Sequence, residues 1–579
     1  MAKSKKKSAA KKKPAAKKAA GAKKAAKPAK VKSAATRAPA KNSAKKPAAK
    51  KVAARKPAAA RKPAAATAKA PAKAKTTVKP APRTPKAGKG AAGAKPLAPP
   101  ARGEEARGAV RNTTPVAGPS FVARSIATRD ASDQPAGVDP GLLQDLIGWA
   151  RAAGADAADA IVVAGTSLSV AQRLGVREKL ERSEGRDLGL RVLVGTRQAI
   201  VSSTDFAPAG LRELAGRAVA MARAVPEDPV CGLAPEELLA RERPELDLDD
   251  GREPSPETLM GWCAEAEDAA RAVAGVTNSE GAEAGWGRTA VAMAMSNGFT
   301  GGYARAGYSL SCAVLAGDGT AMERDYDWTT GVYVEELEAP AAIGRKAGEG
   351  AVKRLNPGRM ASGKAPVVFD RRVSGGMLGH LAGAINGRAI ARGASFLLDA
   401  LGSDVFAAGV TIVDDPHRRR GSASKPFDGE GLPTTRRAIV DKGRLTTWIL
   451  DLAAARQLKM APTGHAARGV SGPPSPSTTN LHMEPGRDSV GDLIGDVADG
   501  LYVTELIGFG VNGVTGDYSR GAAGFRIEGG RLTTPVSGIT IAGNLKDMFR
   551  ALTPADDLRF KGAVNAPTIR IDGMTIAGA

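Results

Sequence analysis

Cysteine is scarce in this chain, with three residues among 579: Cys231, Cys263 and Cys312. They are odd in number and widely spaced, and none belongs to a Cys-x-x-Cys pair. A disulfide framework and a cysteine-based zinc site are therefore not indicated. Scattered thiols of this kind are typical of a reducing compartment, so we expect a cytoplasmic protein with reduced cysteines.

Long apolar runs are also missing. No stretch reaches the roughly 18 consecutive apolar residues that indicate a membrane-spanning helix, so we expect no membrane association. The basic start of the chain is not followed by an apolar core of about 7–15 residues, which argues against a secretory signal. An organelle transit peptide is an alternative interpretation of this start, although the segment is rich in Lys, poor in Ser and long.

Acidic residues are absent from the first hundred positions, which carry 32 Lys and Arg residues. The rest of the chain has 53 basic and 59 acidic residues, so the net charge of +26 comes from this segment. Repeats such as KKKPAAKKAA bury too little apolar surface to offset chain entropy, and their prolines interrupt helices. We expect a disordered basic tail and linker over residues 1–138.

The tail resembles those of linker histones and of histone-like bacterial proteins. Its charge predicts non-specific nucleic-acid binding through residues 1–100, with a strong dependence on salt. The alternative is a tail that only keeps the protein soluble. No aromatic residue lies between the lysines, so base stacking is not indicated.

Residues 139–355 predict a mixed domain of helices and strands. Asp139-Pro140 and Ser255-Pro256 each have the cap-then-proline pattern of a helix start. Residues 188–194 and 198–202 are typical of a hairpin, and Asn297-Gly298 predicts another tight turn.

Three further expectations concern the same domain. We expect a turn at Glu184-Gly185 and a last helix over residues 340–354. A helix beginning at Pro208 should bury one face, consisting of Leu211, Leu214, Ala215, Ala218 and Met221.

Residues 356–579 predict a second domain that is richer in strands. After a buried strand at residues 367–369, a helix is expected from Met377 onward with Ser374 as its N-cap, and a second helix over residues 395–401. Several alternating strands follow, with tight turns at residues 441–443 and 528–530. The fold class is therefore α+β, in which an N-terminal mixed α/β domain precedes a curved antiparallel sheet or barrel around central helices.

Several sequence runs resemble those of one protein family and occur in the expected order. They are RDLGLRVLVG, SEGAEAGW, GHLAGAINGRAIARGASFLLDALG, PTTRRAIVDKG and, most specifically, GVTGDYSRGAAGFRIEGGRLTTPVSGITIAGNLKDMF at residues 513–549. The chain is identified by them as a member of the TldD/PmbA family, also called modulators of DNA gyrase. The resemblance covers about 440 residues and leaves out the tail.

The zinc-bearing TldD branch of that family has a helix that looks like His-Glu-x-x-x-His. In this sequence the first two positions of the frame are Gly375 and Gly376, and only the last is a histidine, His380. A single imidazole cannot hold a catalytic zinc ion. The resemblance is therefore to the PmbA/TldE branch, and it implies no catalytic residue, metal ligand set or cofactor in this chain. His380 is the lone remnant of the zinc helix.

As a TldE-like chain, the protein is expected to form a heterodimer with a TldD-type subunit that supplies zinc and to shape a cavity for unfolded peptides. Glycine-rich strands suit peptide binding by strand addition, so Asp517, Ser519, Arg520 and Asn544 are candidate groove residues. Ordinary barrel strands with bulges are the alternative.

Two motif matches and three histidines carry no function in this interpretation. The G-x-G-x-x-G match at residues 508–513 predicts a glycine-rich turn, because no helix follows it, and the S-x-x-K match at residues 422–425 lies in a loop. His417, His465 and His482 lack metal-ligand spacing. Two other functions stay open: a DNA-associated, gyrase-modulating protein acting through its tail, and an autonomous hydrolase.

Overall fold

The structure is a computed structural model that describes residues 140–578, with side chains from residue 141. The expected basic tail and linker, and the expected N-cap Asp139, lie outside the described residues. Within residues 140–578, no helix is both long and apolar enough to cross a membrane. All three cysteines are free thiols, as expected.

The first part of the described chain is one antiparallel sheet covered by helices. Its strands are β1 (Ala157–Arg173), β2 (Val176–Val194), β3 (Arg197–Ser203), β4 (Val276–Met295), β5 (Thr300–Ala316) and β6 (Glu323–Gly331), in the order β3-β2-β1-β4-β5-β6. Its helices are α1 (Pro140–Ala152), α2 (Pro208–Ala224), α3 (Pro256–Arg271) and α4 (Pro340–Lys353).

The two faces of this sheet have different partners, because successive side chains of a strand point in opposite directions. Ala158, Ala160 and Val162 of β1 pack with α1 and α2. Leu168 and Val170, which have the same parity, pack with α3 and α4. The helices thus cover one face. On the other face, Ile161 packs with Phe427 from the second half of the chain.

Several expectations for this region are confirmed. Ser255 caps α3, since its hydroxyl accepts a hydrogen bond from the Thr258 amide at 3.2 Å. β2 and β3 form the expected hairpin, and Asn297-Gly298 joins β4 to β5.

Two expectations were wrong. The turn at Glu184-Gly185 does not exist, because β2 continues through both residues and Gly185 pairs with Gly165 of β1. Met221 is exposed rather than on the inner face of α2, where Val219 and Ala222 are buried instead.

The second part of the chain contains the remaining elements. Its strands are β7 (Gly363–Phe369), β8 (Ile412–Asp414), β9 (Arg437–Asp441), β10 (Arg444–Leu445), β11 (Ala466–Ala467), β12 (Ser475–Pro476), β13 (Leu481–Met483), β14 (Asp499–Val511), β15 (Asp517–Glu528), β16 (Arg531–Asn544), β17 (Leu552–Pro554), β18 (Val564–Asn565) and β19 (Ile569–Ala577). Its helices are α5 (Arg371–Ala384), α6 (Gly387–Ala391), α7 (Leu452–Leu458), α8 (Val490–Gly495) and α9 (Leu545–Arg550).

Five of these strands close into a barrel. The ring runs β16-β15-β14-β7-β19 and returns to β16 through the pairs Thr540–Ala577, Ile541–Ile576 and Ala542–Thr575. All neighbours are antiparallel except β7 and β14, which are parallel. The expected α+β fold with a barrel-like second half is therefore confirmed. Its core includes Phe369 of β7, Leu381 of α5 and Phe549 of α9.

The helices that follow β7 differ from the sequence expectation. α5 begins earlier, with Asp370 as N-cap, because its carboxylate accepts a hydrogen bond from the Arg372 amide at 2.8 Å. Ser374 is not the cap but a buried residue inside the helix. The helix expected at 395–401 is wrong, since that segment consists of turns. There the Ser395 hydroxyl donates to the Ala384 carbonyl at 2.6 Å and accepts from the Leu397 amide at 3.0 Å, and such local bonds compete with helix formation.

Candidate functional site

The helix that carries the remnant histidine has an open glycine face. A Cβ atom added at Gly376, Gly379 or Gly383 would meet nothing within 4 Å, and one added at Gly375 would be 3.5 Å from the nearest atom, the Val564 carbonyl oxygen. Side chains at the two frame positions would therefore have room. Their absence leaves bare helix backbone next to His380.

His380 lies against β15 in an apolar setting. Its ring makes an edge contact with Tyr518, with 5.8 Å between centroids. Burial, and to a smaller extent the nearby Arg520, lower the pKa of His380, so its imidazole is neutral at physiological pH. Its Nε2 atom and the Tyr518 hydroxyl have no hydrogen-bond partner within the described chain. Burial raises the pKa of Tyr518 to about 12, which keeps the phenol protonated.

The donor set around α5 does not fit a zinc ion. A catalytic zinc site uses three protein ligands of the His, Cys, Asp or Glu type around one point. Within residues 141–578, no group of three or more such side chains is placed to hold a metal ion. At α5, Gly375 and Gly376 contribute no ligand atoms and leave a single imidazole. No catalytic step follows from this helix by itself.

The four candidate groove residues fall into two places rather than one. Asp517 and Asn544 are register partners on β15 and β16, and the Asn544 amide donates to the Asp517 carboxylate and to the Thr515 carbonyl, each at 3.1 Å. Thr515 donates to the same carboxylate at 2.6 Å, and these hydrogen bonds, led by that from Thr515, lower the pKa of Asp517. The pair therefore closes the turn between β14 and β15.

The other two candidates lie farther along β15. Ser519 is exposed and lies on the same face of β15 as Asp517. Arg520 lies on the opposite face, with the buried Tyr518, and is near His380. The Arg520 guanidinium also covers the ring of Phe509, at 5.8 Å from its centroid. The structure thus brings Arg520, but not Ser519, to the remnant histidine.

A free strand edge lies beside these residues and was not foreseen from the sequence. β14 pairs with β15 along most of its length, but on its other edge it pairs with β7 only at residues 501–503. No strand of the described chain pairs with that edge over residues 504–511. This part of β14 carries two exposed apolar side chains, Phe509, which is 80% exposed, and Ile507, which is 49% exposed. The alternation of apolar residues with glycine in the run IGFGV was the sequence signal that could have revealed this free edge.

The discounted motifs have mixed outcomes. Gly508 and Gly510 belong to β14, where the register shifts between Ile507 and Gly510. The prediction that the whole 508–513 stretch is a turn was therefore wrong, while the expected continuation as strand rather than helix is confirmed. The S-x-x-K match does lie in a loop, where the Lys425 ammonium donates to the Ala466 carbonyl at 2.9 Å.

The three other histidines make local polar contacts in the second half of the chain. The ring of His417 is 2.9 Å from the Thr434 hydroxyl, and that of His465 is 2.8 Å from the Thr463 hydroxyl. A ring nitrogen of His482 lies 3.3 Å from the Asn480 carbonyl. The other ring nitrogen of His465, Nε2, lies 3.3 Å from Oδ2 of the buried Asp414 carboxylate. These contacts connect loop and strand residues within the second half of the chain, which is a structural role.

A buried ionic cluster connects the first sheet to the second half of the chain and was also missed. Asp159 of β1 is fully buried and binds Arg191 of β2, with 2.6 Å between Oδ2 and Nη2, and its other oxygen binds Arg468. Glu430 lies near Arg191, and burial, reinforced by Asp428, raises the pKa of Glu430 to about 8. The cluster holds the two halves together and has no open access.

Three family models match the chain in order. They are the domain 1, central domain and C-terminal domain models of the PmbA/TldA metallopeptidases, at residues 158–222, 249–355 and 362–578. This chain belongs to the PmbA/TldD metallopeptidase family. The resemblance inferred from the sequence runs is thereby confirmed.

Relatives with similar sequences carry the PmbA name. The chain is 38% identical to metalloprotease PmbA of Escherichia coli O157:H7 over 425 residues, which is 73% of this chain and 92% of that protein. It is 35% identical to the Haemophilus influenzae PmbA homologue over 431 residues, which is 74% of this chain and 94% of that protein. A TldD homologue from the same bacterium is 26% identical over 272 residues.

Solved structures agree on the fold. A Bacteroides thetaiotaomicron protein named for modulation of DNA gyrase has a TM-score of 0.70 and 29% identity, covering 76% of this chain and 98% of that one. TldE from Thermococcus kodakarensis has a TM-score of 0.69 at 19% identity, covering 76% of this chain and all of that one, which bears on the fold alone.

Proposed function

We propose that this chain is the zinc-free subunit of a two-chain metallopeptidase, in which a TldD-type partner supplies the zinc ion and the catalytic residues. The observation that carries the proposal is the composition of α5, which lacks zinc ligands although the chain belongs to a metallopeptidase family. Gly375 and Gly376 occupy the positions that need a ligand and a general base, and the surrounding donor set does not fit zinc. Hydrolysis of peptide bonds would then require the heterodimer, which we place in the cytoplasm.

The role of this chain in that complex is to hold unfolded peptide near the partner's zinc. The free edge of β14 offers unpaired backbone groups for strand addition, and Phe509 and Ile507 offer apolar contacts for alternate side chains. Asp517 and Asn544 fix the turn at the end of this edge, and Arg520 supports Phe509. Ser519 lies exposed on the neighbouring strand.

The test is peptide hydrolysis by this chain, by the TldD-type partner, and by their mixture. We expect cleavage of an unfolded, end-blocked peptide only in the mixture. Phe509→Ser should raise the KM of the mixture severalfold, whereas Leu532→Ser, a matched change at another exposed apolar strand residue, should leave the KM unchanged. Cleavage by this chain alone, at the rate of the mixture, would overturn the proposal.

A second proposal concerns the basic tail, whose 32 positive charges without one acidic residue favour contact with nucleic acid. According to this second proposal, residues 1–100 hold the protein on DNA, as a gyrase-modulating protein would require. The chain without residues 1–100 should lose binding to duplex DNA while the mixture retains peptide cleavage. Equal DNA binding with and without the segment would rule the tail out.

A further inference from the structure

A cleft of about 510 Å³ lies beside the turn that joins β14 to β15. Its walls are the turn segment 393–405, the helix α9 and Val514 at the tip of the hairpin. Phe396, Leu397 and Val405 are buried residues at its base and give it an apolar floor. The volume is within the range of small-ligand sites, about 300–1,000 Å³.

The cleft has a fixed shape because its walls are tied together. The Phe396 amide donates to the Gly513 carbonyl at 3.0 Å, which joins the turn segment to the hairpin tip. Asn544 joins that tip to α9, since its side chain donates to the Thr515 carbonyl and accepts from the Lys546 amide, both at 3.1 Å. Phe396 also packs on Phe549 of α9, with 6.1 Å between ring centroids.

Charges of both signs line the cleft, and each is unpaired. Lys546 and Arg550 are exposed residues four positions apart, hence on the same side of α9. Asp399 and Asp404 are exposed residues of the turn segment. Within residues 141–578, none of these four side chains forms an ion pair or a side-chain hydrogen bond. Because no other described side chain engages them, both sets of charges are available to a ligand.

We propose that this cleft binds the carboxyl-terminal end of a peptide. Lys546 and Arg550 hold the terminal carboxylate, the last side chain lies on the apolar floor, and Asp399 and Asp404 bind a positive group two or three residues upstream. The lining contains both basic groups and both carboxylates, so a simple anion or a simple cation would match only one of the two sets. A dipolar ligand with an apolar side chain satisfies all three features. The inference rests on the proposed peptide-holding function.

The direction of the neighbouring strands supports a carboxyl end at this place. β7 pairs in parallel with the same edge of β14 that is free over residues 504–511. A peptide added to the free edge in the β7 direction runs toward the hairpin tip. Val514 at that tip lines the cleft, so the end that arrives there is the carboxyl terminus.

The test is the affinity of the full chain for the tripeptide Lys-Ala-Leu and for its carboxyl-terminal amide, by titration calorimetry. We expect the free acid to bind about 10-fold more tightly, because two charge contacts are lost in the amide. The double variant Lys546→Gln/Arg550→Gln should remove this difference. Arg217→Gln, an exposed arginine of α2, is the matched control and should preserve it.

A second pair of measurements separates the cleft from the wider function. Asp399→Asn/Asp404→Asn should weaken Lys-Ala-Leu severalfold and leave acetyl-Ala-Ala-Leu unchanged. Equal binding of acid and amide, or a preference that survives the Lys546/Arg550 double variant, overturns the cleft assignment even if the mixture with the TldD-type partner cleaves end-blocked peptide. Carboxylate-dependent binding without cleavage by the mixture would uphold the cleft and refute the proposed function.

Discussion

Asp159→Asn should be among the most damaging single substitutions in the described chain, because it removes the shared partner of two buried arginines. The Arg191 side chain is 4% exposed and that of Arg468 is not exposed at all, and each binds one oxygen of the Asp159 carboxylate. Only Nη1 of Arg468 makes this contact, and its buried Nε and Nη2 have no hydrogen-bond partner within the described residues. Glu430 does not replace the lost charge at neutral pH, since burial raises its pKa to about 8.

The expected loss follows from this geometry. Removing one member of a buried ion pair costs roughly 3–5 kcal/mol, because the remaining charge is left without compensation. Unfolding entropy of about 2.1 cal/mol/K per residue, over the roughly 440 described residues, gives about 0.9 kcal/mol per degree. The substitution should therefore lower the midpoint of thermal unfolding by about 3–5 °C.

Differential scanning calorimetry of the full chain measures this shift. Asp145→Asn, on the exposed side of α1, is the matched control and should change the midpoint by less than about 1 °C. If Asp159→Asn moves the midpoint no more than Asp145→Asn does, the ionic cluster does not hold the two halves of the chain together, and the argument from burial is refuted.

Three further predictions concern other sites. Asn544→Ala should destabilise the protein by about 1–2 kcal/mol and speed amide hydrogen exchange in the turn before Asp517, because the N-cap of α9 and two further hydrogen bonds are lost. Unchanged exchange rates in that turn would contradict this. Between about pH 4.5 and 8 the folded protein retains a proton on Glu430 that the unfolded chain releases, so the free energy of unfolding should fall as the pH rises, and Glu430→Gln should make this fall less steep. An unchanged dependence of the unfolding free energy on pH, measured by urea titrations at several pH values, would count against it. Gly376→Ala should be neutral or stabilising by up to about 1 kcal/mol, because its Cβ would meet nothing within 4 Å, whereas Gly524→Ala should destabilise the protein strongly, because its Cβ would lie 1.9 Å from the Tyr502 carbonyl oxygen. A lower midpoint of thermal unfolding for Gly376→Ala than for Gly524→Ala would refute the comparison.

Local signals in the sequence were sufficient for many elements. The cap-and-proline start of α3 and the Asn297-Gly298 turn depend on neighbouring residues, and the structure has both. Local signals failed where two of them competed. Asp370 and Ser374 are both good cap residues, and the structure uses the first, whose carboxylate accepts from the Arg372 amide. A helix was expected over residues 395–401, but the Ser395 hydroxyl bonds to the Ala384 carbonyl and stabilises a turn.

Features that join distant parts of the chain were not predictable from one sequence. The pairing of β16 with β19 that closes the barrel joins residues more than 30 positions apart, and alternation alone does not say which strands are neighbours. The charges of the proposed cleft come from residues 399–404 and 546–550, which no motif connects. The family resemblance located His380 and the glycine frame, but not the free edge that carries Phe509.

The most direct test of the central claim is the zinc content of three samples: this chain, the TldD-type partner, and the complex purified by size exclusion. We predict about one zinc ion per heterodimer, none in this chain alone, and peptide cleavage that follows the zinc-containing complex. Stoichiometric zinc in this chain by itself, retained through dialysis against a weak chelator, would contradict the account and require ligands other than His380.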